Sequence, residues 1–283
     1  MRVYNQMRDK KFNFRMLATC AGVLAVFTIP GLAHSAESSV ADKYDVTLMT
    51  SYNYSTGDYG QAEDTKITYV PVTAKVKRDR WTAKLTVPYI RIKGPGVVVG
   101  GEDAAVTGTA QAVGTEDGLG DVLASLSYKQ PIGTQGTFVD ITGKVKFPTA
   151  DEDRNLGTGE FDYTLQLGVT QMIGDAFLTG SAGRKFNGSS DRFDLDDVWK
   201  ASAGAGYKFT PELTAGVNYD WREASTSTGD NYSHAIGFAT YKITSSWEAQ
   251  AYVGTGFTDA SPDLSTGLQV SYKFDSSGAS SED

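Results

Sequence analysis
Three groups of side chains in this sequence have the types and spacing to do chemistry. The first lies in TADEDRNLGT, residues 149–158, where Asp151, Glu152, Asp153 and Asn155 cluster oxygen donors of the kind hard divalent cations take. Their spacing is not that of an EF-hand, and acidic loop tips are ordinarily just solvated, so no metal site is expected. The second is Ser233-His234, a nucleophile type beside a base type, and His234 is the only histidine after residue 35. Adjacent residues of a strand point to opposite faces, so the two cannot act as a pair, and no nucleophile motif surrounds them. No catalytic residue is expected, and His234, near the outer end of its segment, reads as an interfacial residue. The third group is a set of charges of both signs on the polar faces of alternating segments: Lys75, Lys77, Lys84, Lys144, Lys146, Lys200 and Arg222, with Asp140, Glu160, Asp162, Asp220 and Glu248. Inside a closed structure such charges either pair across it and plug it, or line a watery path whose field selects solutes. Neither role is covalent, and no cofactor is implied.

The elements that must position these groups are strands. From residue 43 onward the hydrophobic period is two, with no sustained period of 3.6. In LTAGVNYDWR, Leu213, Ala215, Val217, Tyr219 and Trp221 share one face, and Thr214, Gly216, Asn218, Asp220 and Arg222 the other. Turn signals divide the chain into segments near 43–54, 65–78, 80–92, 119–130, 136–148, 159–172, 175–187, 196–209, 211–224, 230–243, 245–257 and 262–274. Their lengths match the roughly 9 to 11 residues of a tilted strand that crosses a bilayer, against about 5 or 6 in soluble sheets. The connections alternate between tight (Arg78-Asp79, IGTQG, Ile173-Gly174-Asp175, Thr210-Pro211, Thr244-Ser245) and longer, as in an up-and-down barrel with short periplasmic turns and longer outer loops. Aromatic residues gather near segment ends, where a membrane barrel carries its interfacial girdles. These features predict an all-β fold: a single 12-stranded antiparallel transmembrane β-barrel, with 10 to 14 strands compatible with the pattern.

The first 35 residues read as a secretory signal peptide. A basic start (Arg2, Arg8, Lys10, Lys11, Arg15) precedes an apolar run from Met16 to Ile29, and Ala33-His34-Ser35 places a cleavage site near Ser35. The run is short for a spanning helix, which needs roughly 20 residues. Cys20 sits inside it after Thr19, a poor context for lipidation. The expected layout is therefore a signal at 1–35, a barrel at 36–274 and a flexible tail at 275–283. Without residues 1–35 the chain keeps 21 basic and 33 acidic side chains, a net charge of −12, which makes nucleic acid an unsuitable partner. Expected partners are outer-membrane lipids with lipopolysaccharide, the barrel-assembly machinery and a small-molecule solute.

Residues 117–186 carry three features: Gly120-Asp121 entering one strand, Lys146-Phe147-Pro148-Thr149 ending the next, and Gly157-Thr158-Gly159 before a third. This pattern resembles an outer-membrane family named for the MetA pathway of phenol degradation. The resemblance covers about 70 central residues and singles out Gly120, Asp121, Pro148, Thr149, Gly157 and Gly159. It implies an outer-membrane barrel that helps small, often aromatic or hydrophobic, compounds to cross. One departure is the C-terminus, where Phe274 is followed by DSSGASSED rather than ending the chain.

On this reading the chain is a channel or transporter for passive passage of small molecules. The rivals are a non-conducting structural or surface-recognition barrel and an outer-membrane lipid hydrolase. The segment from Lys93 to Gly118 is far longer than an ordinary loop, and its Val97-Val98-Val99 patch suggests that it folds over or into the mouth.

Overall fold
Alternating apolar and polar side chains suit a pleated ribbon whose two faces meet different surroundings, and this ribbon closes on itself. The computed structural model describes residues 44–96, 98–99, 105–106, 113–133, 136–188 and 192–274, so the expected signal peptide and tail lie outside the described residues. The strands are β1 (Asp45–Gly57), β2 (Thr65–Arg78), β3 (Trp81–Gly94), the short β4 (Val98–Val99) and β5 (Ala105–Val106), β6 (Gly114–Leu119), β7 (Val122–Ile132) and β8 (Thr137–Phe147). They continue as β9 (Asp162–Ile173), β10 (Ala176–Phe186), β11 (Val198–Lys208), β12 (Leu213–Arg222), β13 (Tyr232–Lys242), β14 (Trp247–Gly256) and β15 (Leu264–Phe274). All pairings are antiparallel between chain neighbours, β1 pairs with β15, and β6 and β7 pair with successive parts of β3 as one interrupted strand. The result is a closed barrel of twelve strands, while β4 and β5 form a separate small hairpin. Closure leaves no open edge, which a bilayer would not tolerate.

The distribution of side chains is inverted relative to a soluble protein. Leu48, Leu85, Leu126, Ile141, Leu165, Leu167, Leu178, Val217, Val253 and Leu268 are exposed on the outside, whereas Thr47, Ser51, Thr73, Thr86, Thr164, Asn218, Gln250, Gln269 and Ser271 are buried within. An outer apolar surface of this extent is one that lipid, not water, covers. Aromatic pairs bound it on both sides. Trp81–Tyr128 (4.8 Å between centroids), Tyr207–Phe209 (5.1 Å) and Trp247–Tyr272 (4.9 Å) lie at the end of the short turns. Phe161–Tyr163 and Tyr219–Phe257, both at 6.4 Å, lie at the end of the long loops.

Short turns obtain their shape from local chemistry. Thr210 Oγ1 accepts the backbone N–H groups of Glu212 and Leu213, and Thr244 Oγ1 does the same for Ser246 and Trp247. The fourth strand departs from the periodicity: it begins at Gly114 rather than near 119 and breaks at Gly120-Asp121. Three steps along β3, from Thr86 to Tyr89, face four steps from Leu119 to Leu123, which is a β-bulge. Prolines have a part in it. Pro71 and Pro88 sit opposite each other and cannot donate to the ladder. Their carbonyls are satisfied instead by Thr50 Oγ1 and by the N–H of Gly120, each at 2.9 Å. The bulge at Gly120 is thus where the chain restores the pairing that Pro88 interrupts.

Candidate functional site
The inward charges fall into three levels along the barrel axis. At the short-turn end, Lys77 faces Asp45 in the register and Lys273 Nζ lies 3.0 Å from the Asp45 carboxylate. Lys75 and Glu248 are inside nearby, both half-buried. Asp140 faces Gly168 across the β8–β9 ladder; a Cβ on that glycine would meet the carboxylate at 2.7 Å.

The middle level is open. A cavity of about 420 Å³ is bordered by Lys84, Lys144, Lys200, Asp220 and Arg222, together with hydroxyl and amide side chains including Ser51, Asn53, Thr86, Ser127, Thr142, Gln166, Ser181, Ser202 and Gln269. Hydroxyls pair along its wall, Ser127 with Thr142 and Ser181 with Ser202, each at 2.7 Å. Asn218 donates to Asp220 at 2.7 Å, and the buried Arg222 guanidinium lies 5.1 Å from the centre of the Tyr232 ring. Its volume suits a small organic molecule. Among the described residues of the expected charged set, Lys75, Lys77, Asp140, Lys146, Glu160, Asp162 and Glu248 do not border this cavity.

Above it the charges are bound to one another. Lys146 Nζ lies 3.1 Å from Asp121 and 3.3 Å from Asp162 and donates to Thr158 Oγ1 at 2.7 Å; Lys185 Nζ lies 3.0 Å from the same Asp162 oxygen. Asp121 Oδ1 also accepts the N–H groups of Thr149 (3.1 Å) and Ala150 (3.0 Å). Thr149 Oγ1 accepts from the N–H of Val122 and donates to the carbonyl of Gly120. The motif pieces at 120–121, 146–149 and 157–159 therefore meet in one clamp that closes the bulge against the β8–β9 loop. Gly157 is required by closeness: a Cβ there would stand 2.7 Å from both the Ala150 methyl and the Asp121 carboxylate. Gly159 is required by its left-handed φ of +74°. Pro148 follows the last residue of β8, where no further ladder N–H is needed. Glu160 is not on a strand; it lies in the loop just before β9.

The acidic loop is held by arginines. Asp151 caps a single 3-10 turn, Glu152–Arg154, by accepting from the N–H of Asp153, and Asn155 leaves it in the left-handed region. Arg192, from the β10–β11 loop, donates to the Glu152 carbonyl (2.6 Å) and to Asn155 Oδ1 (2.8 Å), and Arg154 pairs with Glu116 at 2.6 Å. Among the described residues no group of acidic, histidine or cysteine side chains is arranged to hold a metal ion.

A small apolar roof lies over part of the outer end. Tyr59, Ile67, Ile90, Ile92, Val98 and Leu156 pack together there, and Val99 packs with Phe193 and Leu195 of the β10–β11 loop. Val98 and Val99 of the 93–118 segment are thus buried at the mouth, whereas Val113 is exposed. Burial pushes the Tyr59 phenol up to about 12, with the Asp263 charge adding to it against a Ser55 hydrogen bond, so the hydroxyl stays neutral.

His234 corrects one expectation: it is not interfacial but buried inside the barrel, bordering the cavity. Its Nε2 lies 2.9 Å from Ser265 Oγ, a residue the sequence reading did not single out because it comes from a strand two places away. Ser233 does face the other way and bonds the Tyr219 hydroxyl at 2.7 Å.

Comparison with known proteins adds a family and a fold. The family model described as "Putative MetA-pathway of phenol degradation" matches residues 49–274. No curated protein matches the chain in sequence. Among solved structures, the chain is similar to the COG4313 outer membrane channel from Pseudomonas putida F1, at 16% identity and a TM-score of 0.62 over 86% of this chain and 100% of that one. It is similar also to KdgM porin in complex with disordered oligogalacturonate (11%, 0.50, 80% and 99%) and to the beta domain of the Bordetella autotransporter Brka (12%, 0.50, 82% and 100%). At such identities the likeness is one of fold.

Proposed function
The chain belongs to the MetA-pathway phenol-degradation family, and from that premise we propose that it is a passive outer-membrane channel for small molecules. The observation that carries this reading is the cavity: about 420 Å³ of space, bordered by charged, hydroxyl and apolar side chains, inside a closed, lipid-facing barrel. A barrel serving only as a structural wall has no need of inward lysines, and filling the interior with small apolar side chains would cost less than desolvating them. The names of similar structures, a channel and a porin, agree with it, while the autotransporter domain is a reminder that the fold alone does not select a function.

On this reading the chain is exported with a signal cleaved near Ser35, inserted by the barrel-assembly machinery, and set among outer-membrane lipids and lipopolysaccharide. Solutes pass by diffusion, with the family name favouring aromatic or hydrophobic compounds. No covalent step is assigned. The Ser265–His234 pair faces the lumen, away from lipid esters, and among the described residues His234 Nδ1 has no hydrogen-bond partner to orient the ring for base catalysis.

The test is uptake by liposomes carrying the refolded barrel, with sugars, organic acids and small aromatics compared against empty liposomes. Uptake above the control is the expected result; none, from protein shown to be folded and inserted, overturns the channel. His234→Ala is expected to leave uptake in place, and neither form is expected to hydrolyse phospholipid.

A further inference from the structure
Resting on the channel reading, we infer that the lumen selects small organic anions whose charged group is attached to an aromatic or apolar body. Among the described lining residues, four cations, Lys84, Lys144, Lys200 and Arg222, border the cavity against one carboxylate, Asp220. They come from β3, β8, β11 and β12, and so from one continuous arc of the wall. The facing arc, β13 to β2, contributes no charged side chain among the described lining residues; it offers Tyr69 and Tyr252 instead. The sign is not a reflection of overall composition, since the whole chain carries a net charge of −8.

The physics follows from the surroundings. Bilayer and barrel wall are poorly polarisable, so the field of inward ammonium groups is concentrated along the water path instead of being screened in all directions. An anion gains from that field wherever it stands along the cationic arc. Hydroxyl pairs between the lysines can replace part of its hydration without adding opposing charge. An apolar or aromatic body finds a second surface in the tyrosines and in the apolar roof at the outer end, where Ile67 and Val98 also border the cavity. A neutral hydrophobic solute would use the roof but gain nothing from the cationic arc.

The experiment is planar-bilayer recording from the refolded full barrel under a tenfold salt gradient. It is joined to liposome uptake of benzenesulfonate and of benzyltrimethylammonium, two ring compounds of permanent and opposite charge, with phenol as the neutral arm. The expected result is a reversal potential of the sign set by chloride, and uptake of benzenesulfonate about tenfold faster than of the cation, the lower end of what field focusing gives. Lys84→Glu, Lys144→Glu and Lys200→Glu together are expected to reverse both preferences. If that triple variant does not fold, as read by heat-modifiable gel migration, Lys144→Gln alone is expected to reduce the anion preference. Conductance with a cation preference or none, or phenol uptake above its empty-liposome control that exceeds benzenesulfonate uptake, overturns this inference while the channel stands. Absence of conductance from folded, inserted protein removes the channel reading and this inference with it.

Discussion
Two groups of inward charge in the same barrel meet different surroundings. Asp121, Lys146, Asp162 and Lys185 form a balanced cluster, two of each sign, in which Lys146 and Asp162 each have two partners. Lys84, Lys144 and Lys200 belong to a cavity wall with a surplus of positive charge. Residue type and strand phase are the same in both. The difference lies in what stands opposite: the cluster is capped by the β8–β9 loop, whose backbone N–H groups complete the Asp121 carboxylate, whereas the wall faces open space. A balanced cluster holds structure, whereas a wall with a net surplus of one sign along a water path leaves that surplus field to a solute.

The largest effect is expected at the centre of the clamp. Asp162→Ala removes the shared partner of Lys146 and Lys185, both mostly buried, and breaking such a pair costs about 3–5 kcal/mol. The denaturant midpoint of the refolded barrel measures it; a wild-type midpoint would mean that the clamp does not support the fold. Next comes the roof: Leu156→Ala opens a cavity in the Tyr59–Ile90–Val98 cluster, for about 2–5 kcal/mol, and is expected to raise single-channel conductance. An unchanged conductance would show that the roof does not restrict the path. Gly157→Ala forces a methyl against Asp121 and Ala150, an overpacking of about 1–3 kcal/mol, and is expected to lower the denaturant midpoint while leaving ion preference as it was. The smallest effect is expected for Lys77→Ala, at the exposed short-turn rim away from the cavity: within about 0.5 kcal/mol in stability, with the reversal potential unmoved. A large shift there would place the selective region at the rim instead.

The barrel was legible because its signal is local. Whether a residue meets lipid or lumen is decided by the two-residue period of the pleat, so Leu165 and Leu167 outside and Asp162 and Thr164 inside follow from their positions in the strand alone. Strand lengths and the alternation of tight and long connections carried the rest of the topology. Boundaries escaped this reasoning: β9 begins at Asp162 rather than near 159, and the strand from Gly114 contains the Gly120-Asp121 bulge, beside Pro88 of the neighbouring strand.

What each inward charge faces was not legible. Asp121, Lys146, Asp162 and Lys185 come from four neighbouring strands, and their meeting depends on register and bulge. The same holds for His234 and Ser265, 31 positions apart in sequence yet 2.9 Å apart in space. Period and length alone determined that this chain is a closed membrane barrel with its charges inside, because lipid and water sort side chains one residue at a time. Only the tertiary structure decided which charges gather in a balanced cluster and which border the cavity, because that depends on stagger between strands and on the loops at the mouth.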